Sequence, residues 1–382
     1  MVNERRLVQE FLELVRIDSV SGKERLVADL LKERLLGMGI AVREDSAGAR
    51  AGSETGNIVG HLPATGGDGP VLMLCAHMDT VEPGRGVKPI IEDGVIRSSG
   101  DTVLGADDKA GIAAILEALR LLQENGIRHG GLDVVFTIWE EGGLYGAKNL
   151  DYSLLTAKAG YVLDSDGPPG TIVTVAPSQD RISALVRGRA AHAGINPEEG
   201  INAIQVASRA IARMKIGRVD RETTSNIGII SGGKAVNIVP DSVTIQGEAR
   251  SLDPAKRAAQ TESMCGALRD AAAESGAAVD INVETLYDGF NLEPGHHVVR
   301  AAVEAARALG LEPRLEETGG GSDANIFNSR GITAAVLGIG MKKVHTTEEY
   351  IALKDLVDDA AYLVEIVKAF QKTGVCQPDK VG

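Results

Sequence analysis

Hydrophobic positions in this chain follow two periods, and the elements alternate. In residues 3–16, Leu7, Phe11, Leu14 and Val15 fall on one helical stripe. After Ser21 a second helical run carries Val27, Leu30, Leu31 and Leu35, and a third, Ala110 to Leu122, carries Ile112, Ile115, Leu116, Leu119 and Leu122. Short unbroken apolar runs read as buried strands at Val71 to Ala76, Val134 to Trp139, Ala159 to Leu163 and Ala334 to Gly338. Strands alternating with helices predict an α/β domain with a mixed, largely parallel sheet flanked by helices.

The pattern changes between about 178 and 288. Arg181 to Val186, Asn226 to Ile230, Ser242 to Arg250 and Val279 to Leu286 read as strands, with Ala203 to Met214 and Pro254 to Ser275 as helices. The order β-α-β-β-α-β is ferredoxin-like. Pro168-Pro169-Gly170 and Glu293-Pro294-Gly295 flank it. This predicts a small α+β domain, 178–288, inserted into a larger one formed by 1–177 and 289–382. The tail after Thr373 is expected to fray.

Composition narrows the function classes. A chain of 382 residues is long enough for two domains. Aromatics are 3% of the chain, so its core is built from Ala, Val, Leu and Ile, and a base-stacking surface is not expected. The net charge of −13 argues against a nucleic-acid partner. Cys75, Cys265 and Cys376 are scattered, which points to a reducing, cytoplasmic setting. The charged first 20 residues leave no room for a secretory signal, and no apolar run is long enough for a membrane span.

The candidate chemistry lies where the predicted strands end. His77-Met78-Asp79 follows the first strand, Glu140-Glu141 the second and Asp164 the third, and ligands in open α/β sheets bind beyond the carboxyl ends of strands. His345 and the pair Asp107-Asp108 complete a set of imidazoles and carboxylates without thiol, which suits Zn, Co or Mn. His77 and Asp79, two apart in extended chain, face the same way, so Asp79 can orient the His77 ring. Glu140 and Glu141 would point to opposite sides, one toward a metal and the other toward water; a solvated acidic turn is the plain alternative. For Asp107 and Asp108 the plain alternative is helix N-capping by one and pairing of the other with Lys109. His345 alone would read as a surface histidine. His192 sits in a small-residue turn of the inserted domain, and histidines 61, 129, 296 and 297 have no matching context. There is no H-E-x-x-H and no G-x-S-x-G, and Gly228 to Lys234 lacks the Ser/Thr of a P-loop.

Taken together, Ala76-His77-Met78-Asp79-Thr80-Val81, Gly105-Ala106-Asp107-Asp108-Lys109-Ala110-Gly111, Glu140-Glu141 and His345-Thr346-Thr347-Glu348-Glu349 resemble a known family. It is the dinuclear zinc peptidases that include peptidase T, the glutamate carboxypeptidases, aminoacylase and succinyl-diaminopimelate desuccinylase, and the likeness is strongest to the peptidase T-like branch. The resemblance implies two divalent metals, zinc first with cobalt or manganese as alternatives. His77 and Asp164 would hold one and Glu141 and His345 the other, with Asp107 bridging. It implies Glu140 as general base, Asp79 as partner of His77, and His192 as an oxyanion donor on the lid. Arg250 would bind a substrate carboxylate and Asn237 would lie near the substrate. A peptide substrate cleaved by an aminopeptidase or tripeptidase is implied, with carboxypeptidase or N-acyl amino acid deacylase activity as the alternative, a non-catalytic metal- or peptide-binding protein as the remote one, and a homodimer through the inserted domain. One segment departs: where peptidase T has Arg-Gly-Gly-Thr-Asp, the chain reads Gly-Gly-Gly-Ser-Asp after Thr318. An arginine makes a bidentate carboxylate clamp that glycine cannot.

Overall fold

The computed structural model describes residues 1–67 and 69–373; Cys376 and the expected frayed tail lie outside them. The chain divides into two compact units: Met1–Thr174 with Asn291–Glu317 and Ser322 onward, and Val175–Phe290 with Thr318–Gly321.

In chain order, the first unit opens with α1 (Glu4–Arg16), α2 (Arg25–Gly37), β1 (Ala41–Glu44), α3 (Ala47–Ala51), β2 (Ile58–Leu62) and β3 (Leu72–His77). There follow the hairpin β4 (Pro89–Glu92) and β5 (Val95–Ser98), α4 (Ala106–Glu124), β6 (Leu132–Thr137), α5 (Tyr145–Asn149), β7 (Ala159–Ser165) and β8 (Thr171–Ala176). The inserted unit holds β9 (Ser178–Arg187), α6 (Ala203–Arg213), β10 (Gly217–Arg218), β11 (Thr223–Gly232), β12 (Ser242–Ser251), α7 (Pro254–Ser275) and β13 (Ala278–Tyr287). The chain closes with β14 (Phe290–Asn291), α8 (His297–Ala308), β15 (Arg314–Glu317), α9 (Asp323–Ser329), β16 (Thr333–Gly338), β17 (Tyr350–Ala352) and α10 (Leu353–Thr373).

The main sheet runs β1-β2-β6-β3-β7-β16-β8-β14, with β15 on β8. Its centre, β6-β3-β7-β16, is parallel, and the outer pairings to β2 and β8 are antiparallel. Every residue of β3 and β6 is buried, as expected of strands covered on both faces. The helix α4 is buried along nearly its whole length and packs on β3 and β7 and against α1 and α10.

In the inserted unit the sheet order is β10-β11-β12-β9-β13, entirely antiparallel; the predicted β-α-β-β-α-β connectivity is present with the two-residue strand β10 added at the edge. Ala184 and Val186 of β9 and Val243 and Ile245 of β12 face α6 and α7 and form the core with Val206, Ala207 and Leu268. The alternation in β9 and β12 is therefore that of a sheet covered on one face.

Two local expectations change. The second buried strand ends at Thr137, not Trp139, because side chains take over its ladder: Ile138 N–H donates to Asn57 Oδ1 (3.0 Å) and Trp139 N–H to Glu24 Oε1 (3.0 Å). Neither Asp107 nor Asp108 caps α4. Gly105 ahead of them is left-handed at φ 77°, both aspartates have non-helical dihedrals, and the regular helix starts just after them with no side-chain cap bond.

Candidate metal centre

Strand register sets the first part of the site. His77, the last residue of β3, pairs with Thr137 on β6, while Cys75 pairs with Val162 on β7. Asp164, two residues beyond Val162, therefore comes level with His77 on the same face. The Glu140–Glu141 turn follows β6, the loop carrying His345 follows β16, and Asp107 enters from the start of α4.

Asp107 is at the centre. Its Oδ1 lies 3.0 Å from His77 Nε2 and its Oδ2 3.2 Å from His345 Nε2. Asp164 Oδ1 is 3.9 Å from the same His77 nitrogen, and Glu141 Oε1 is 2.9 Å from the same His345 nitrogen. Glu141 Oε1 is nevertheless buried without an aligned hydrogen bond. Ligand-capable atoms of His77, Asp107 and Glu141 lie within 4.8 Å of one another, as do those of His77, Glu140 and Asp164.

The electrostatics are those of anions crowded in low dielectric. Burial pushes Glu140 and Asp164 well above the usual carboxylate range, with the Asp164 charge adding to the first and the Asp107 charge to the second. Burial acts upward on Asp107 too, but the His345 and His77 rings overcome it and hold that carboxyl below the usual range. Asp107 and Glu141 push His345 up to about 10. Burial works against the charge on His77, yet the Asp107 and Asp79 carboxylates outweigh it and raise the ring well above its ordinary value. Two imidazoles and a cluster of buried carboxylates fit divalent cations of borderline softness, which take the place of the protons held between them.

The surrounding chain holds this cluster by its backbone. His77 Nδ1 lies 2.9 Å from the Asp79 carbonyl oxygen and 3.5 Å from the Asp79 carboxylate. The ring is thus steadied by the main chain of residue 79 and, at longer range, by its carboxylate. The fully buried Asp79 carboxylate also accepts from the Glu140 N–H (2.8 Å), the Glu141 N–H (3.2 Å) and the Ser21 hydroxyl (2.6 Å). It fixes the turn that carries the two glutamates. That turn is not extended, since Gly143 and Leu144 N–H both donate to Glu140 O, but the side chains still diverge, Glu140 toward Asp164 and Glu141 toward His345. Asp108 accepts from the His77 N–H (3.0 Å), and Lys109, buried, donates to Ile17 O (2.8 Å); the expected Lys109–aspartate pair is absent.

His192, Asn237 and Arg250 belong to the second unit. His192 and Asn237 are exposed on adjoining segments, joined by the Ala193 N–H to Asn237 O bond (3.0 Å). Arg250, half-buried on β12, already meets a carboxylate: its Nε and Nη2 each lie 3.1 Å from an oxygen of Glu248. Among the remaining histidines, His61 pairs with buried Asp133 at 2.8 Å.

Several supporting residues have no role assigned from the sequence. Glu24, fully buried, accepts from Gly22, Trp139 and Ser53. Asp323 accepts from the Thr137 hydroxyl at 2.6 Å, and burial pushes it up to about 6. Glu349 is 1% exposed, and burial pushes it up to about 7. Its place beside Glu348 in a polar run gives no hint of that burial, because the segment has no periodicity to mark an inward face.

Residues 73–369 match the model of peptidase family M20/M25/M40. The chain belongs to that family. It is a peptide hydrolase of a metal-dependent class. The crystal structure of a tripeptidase from Staphylococcus aureus superposes with a TM-score of 0.93 at 44% identity, covering 97% of this chain and 100% of the other. Aminopeptidase PepT from Bacillus cereus gives a TM-score of 0.89 at 45% identity over 97% and 99% of the two chains. Carboxypeptidase G2 of Pseudomonas is 33% identical over 83% of this chain and 77% of its own. Among the described residues, no helix of this peptidase is long and apolar enough to cross a membrane.

Proposed function

We propose that this peptidase is an aminopeptidase of the tripeptidase type, acting on small peptides in the cytoplasm with two divalent metals, zinc first among them. The observation that carries the reading is Asp107, whose two oxygens each face a different histidine, with Asp164 beside one ring and Glu141 beside the other. His77 and Asp164 would hold one ion, Glu141 and His345 the second, and Asp107 both. When bound, the ions supply Lewis acidity and a water of lowered pKa.

The chain's own groups supply the rest. Glu140 carries no ring partner, is 7% exposed, and lies beside the His77–Asp164 half of the cluster. That place suits a group that accepts a proton from attacking water at its carboxylate and returns it to the leaving amine nitrogen. Asp79 keeps Glu140 and Glu141 in place through their N–H groups. From the second unit, His192 would donate to the developing oxyanion, Asn237 would line the substrate path, and Arg250 would bind a substrate carboxylate after leaving Glu248. A homodimer through the inserted unit belongs to the same reading.

The likeness to carboxypeptidase G2 and the glycines before Ser322 favour a second reading, a carboxypeptidase or N-acyl amino acid deacylase. A metal-reconstituted panel separates them: a tripeptide, its N-blocked form and an N-acyl amino acid, with products read by mass spectrometry. Cleavage of the free tripeptide alone, at its first bond, supports the aminopeptidase. Cleavage of the blocked substrates moves the assignment to the second reading.

A further inference from the structure

Glu349 is buried in a stretch of chain whose neighbours are not: Thr346, Thr347 and Glu348 are exposed. It stands four residues after His345, in a loop closed at its base by Lys342 and Tyr350. Each of these donates its N–H to the carbonyl of the other, at 2.9 and 3.1 Å. Inside the loop, the Thr346 hydroxyl donates to Lys343 O (2.7 Å), Glu348 N–H to Thr346 Oγ1 (3.2 Å) and Glu349 N–H to Thr346 O (3.1 Å). Lys343 and His345 adopt left-handed φ values of 53° and 63°. Non-glycine residues hold such values only where surrounding contacts impose them. The loop is a pre-shaped platform for the His345 ring.

The Glu349 side chain ties this platform to the other half of the centre. One carboxylate oxygen accepts the Gly105 N–H at 2.7 Å and the other accepts the Asp107 N–H at 3.0 Å. These N–H groups lie in the non-helical lead-in to α4, where no side-chain cap bond is made. A general helix cap would satisfy the same donors from a neighbouring residue. Here the acceptor comes from a segment more than 240 residues further along, the one that carries His345.

We propose that Glu349 is a positioning residue that sets the separation between Asp107 and His345, and so determines metal affinity on the His345–Glu141 side of the centre. It touches neither substrate nor reacting atoms. The inference rests on the ligand assignment given above. Groups that orient a ligand without touching the ion typically govern affinity by 10–100-fold.

Cobalt(II) is the probe, titrated into metal-free enzyme and followed by visible absorption and calorimetry. Glu349→Gln removes the charge and presents an N–H₂ to one of the two donors. The expected result is that one of two cobalt equivalents weakens about 10–100-fold while the other changes far less, with Glu349→Asp, which keeps a carboxylate, recovering part of the loss. Unfolding of the metal-free variants, read by fluorescence of the lone Trp139, separates positioning from mere structural support. A metal-binding deficit no larger than the shift in apo unfolding overturns the proposal, as does a wild-type isotherm. If Glu349→Gln does not fold, Glu349→Asp carries the same readings. His345→Ala is the control. Should it lose one equivalent while both Glu349 variants bind normally, this inference alone fails. Should it still bind two as wild type does, the ligand assignment fails, and Glu349 has no ligand to position.

Discussion

Asp79→Asn tests how the Glu140–Glu141 turn is held. The wild-type carboxylate is fully buried and accepts three hydrogen bonds, from two backbone N–H groups and the Ser21 hydroxyl. An asparagine keeps one acceptor oxygen, which can serve Glu140 N–H. Its N–H₂ can donate to Ser21 once that hydroxyl rotates, but it also confronts the Glu141 N–H, which loses its acceptor. An orphaned buried donor costs about 1–3 kcal/mol, and turning a charged hydrogen bond into a neutral one costs about 1 kcal/mol more. The sum is a loss of about 2–4 kcal/mol, a large share of a typical domain's stability. The assay is urea unfolding of the metal-free protein by Trp139 fluorescence. Trp139 is the chain's single tryptophan and adjoins Glu140, so the signal reports the first unit. Ser21→Ala serves as reference, with an expected cost of about 1 kcal/mol because the carboxylate keeps both backbone donors. A shift below about 0.5 kcal/mol for Asp79→Asn would show that the turn does not depend on this carboxylate, and the account of the site's scaffold would be wrong.

Four other outcomes follow from the same structure. Glu140→Gln should retain both metals by elemental analysis and lose turnover by roughly 10²–10⁴-fold, the usual contribution of a general base; wild-type turnover would remove Glu140 from that role. Gly111→Ala should destabilise by about 1–3 kcal/mol in thermal unfolding, because a Cβ there runs into Asp108 Oδ1 and lies 2.9 Å from Leu163 O. Arg25 and Lys32 hold the Glu44 carboxyl below its ordinary value near 4.5, against burial. Its folded pKa is depressed, so its contribution is present above pH 4.5 and is lost as pH falls; the stability gap between wild type and Glu44→Gln should narrow from pH 6 to pH 3. A Cβ at Gly319 meets no atom within 4 Å, so Gly319→Arg should fold normally and lower KM for substrates with a free carboxylate, measured by steady-state kinetics.

How much of this was legible in the chain depended on how local the cause was. The runs around Val71, Val134 and Ala334 became central strands because unbroken apolar stretches have nowhere to go but a sheet covered on both faces. The strand-end positions of His77, Glu140 and Asp164 followed from the same elements. Side-chain partnership was decided only in three dimensions. Helix N-capping was the plain alternative for one of Asp107 and Asp108, yet Asp108 serves the His77 backbone, and Asp107, which the family resemblance set between the two metals, faces two rings. Asp79 faces the ring two residues away, as the spacing suggests, but its hydrogen bonds to the Glu140 and Glu141 backbone have no sequence signature. Glu349 sits in a polar run that gives no reason to bury it, and its acceptors' targets lie at Gly105 and Asp107. Periodicity records which face of an element is apolar. It carries no information about which distant backbone N–H a buried carboxylate will meet, because that is settled by the packing of segments that share no sequence neighbourhood.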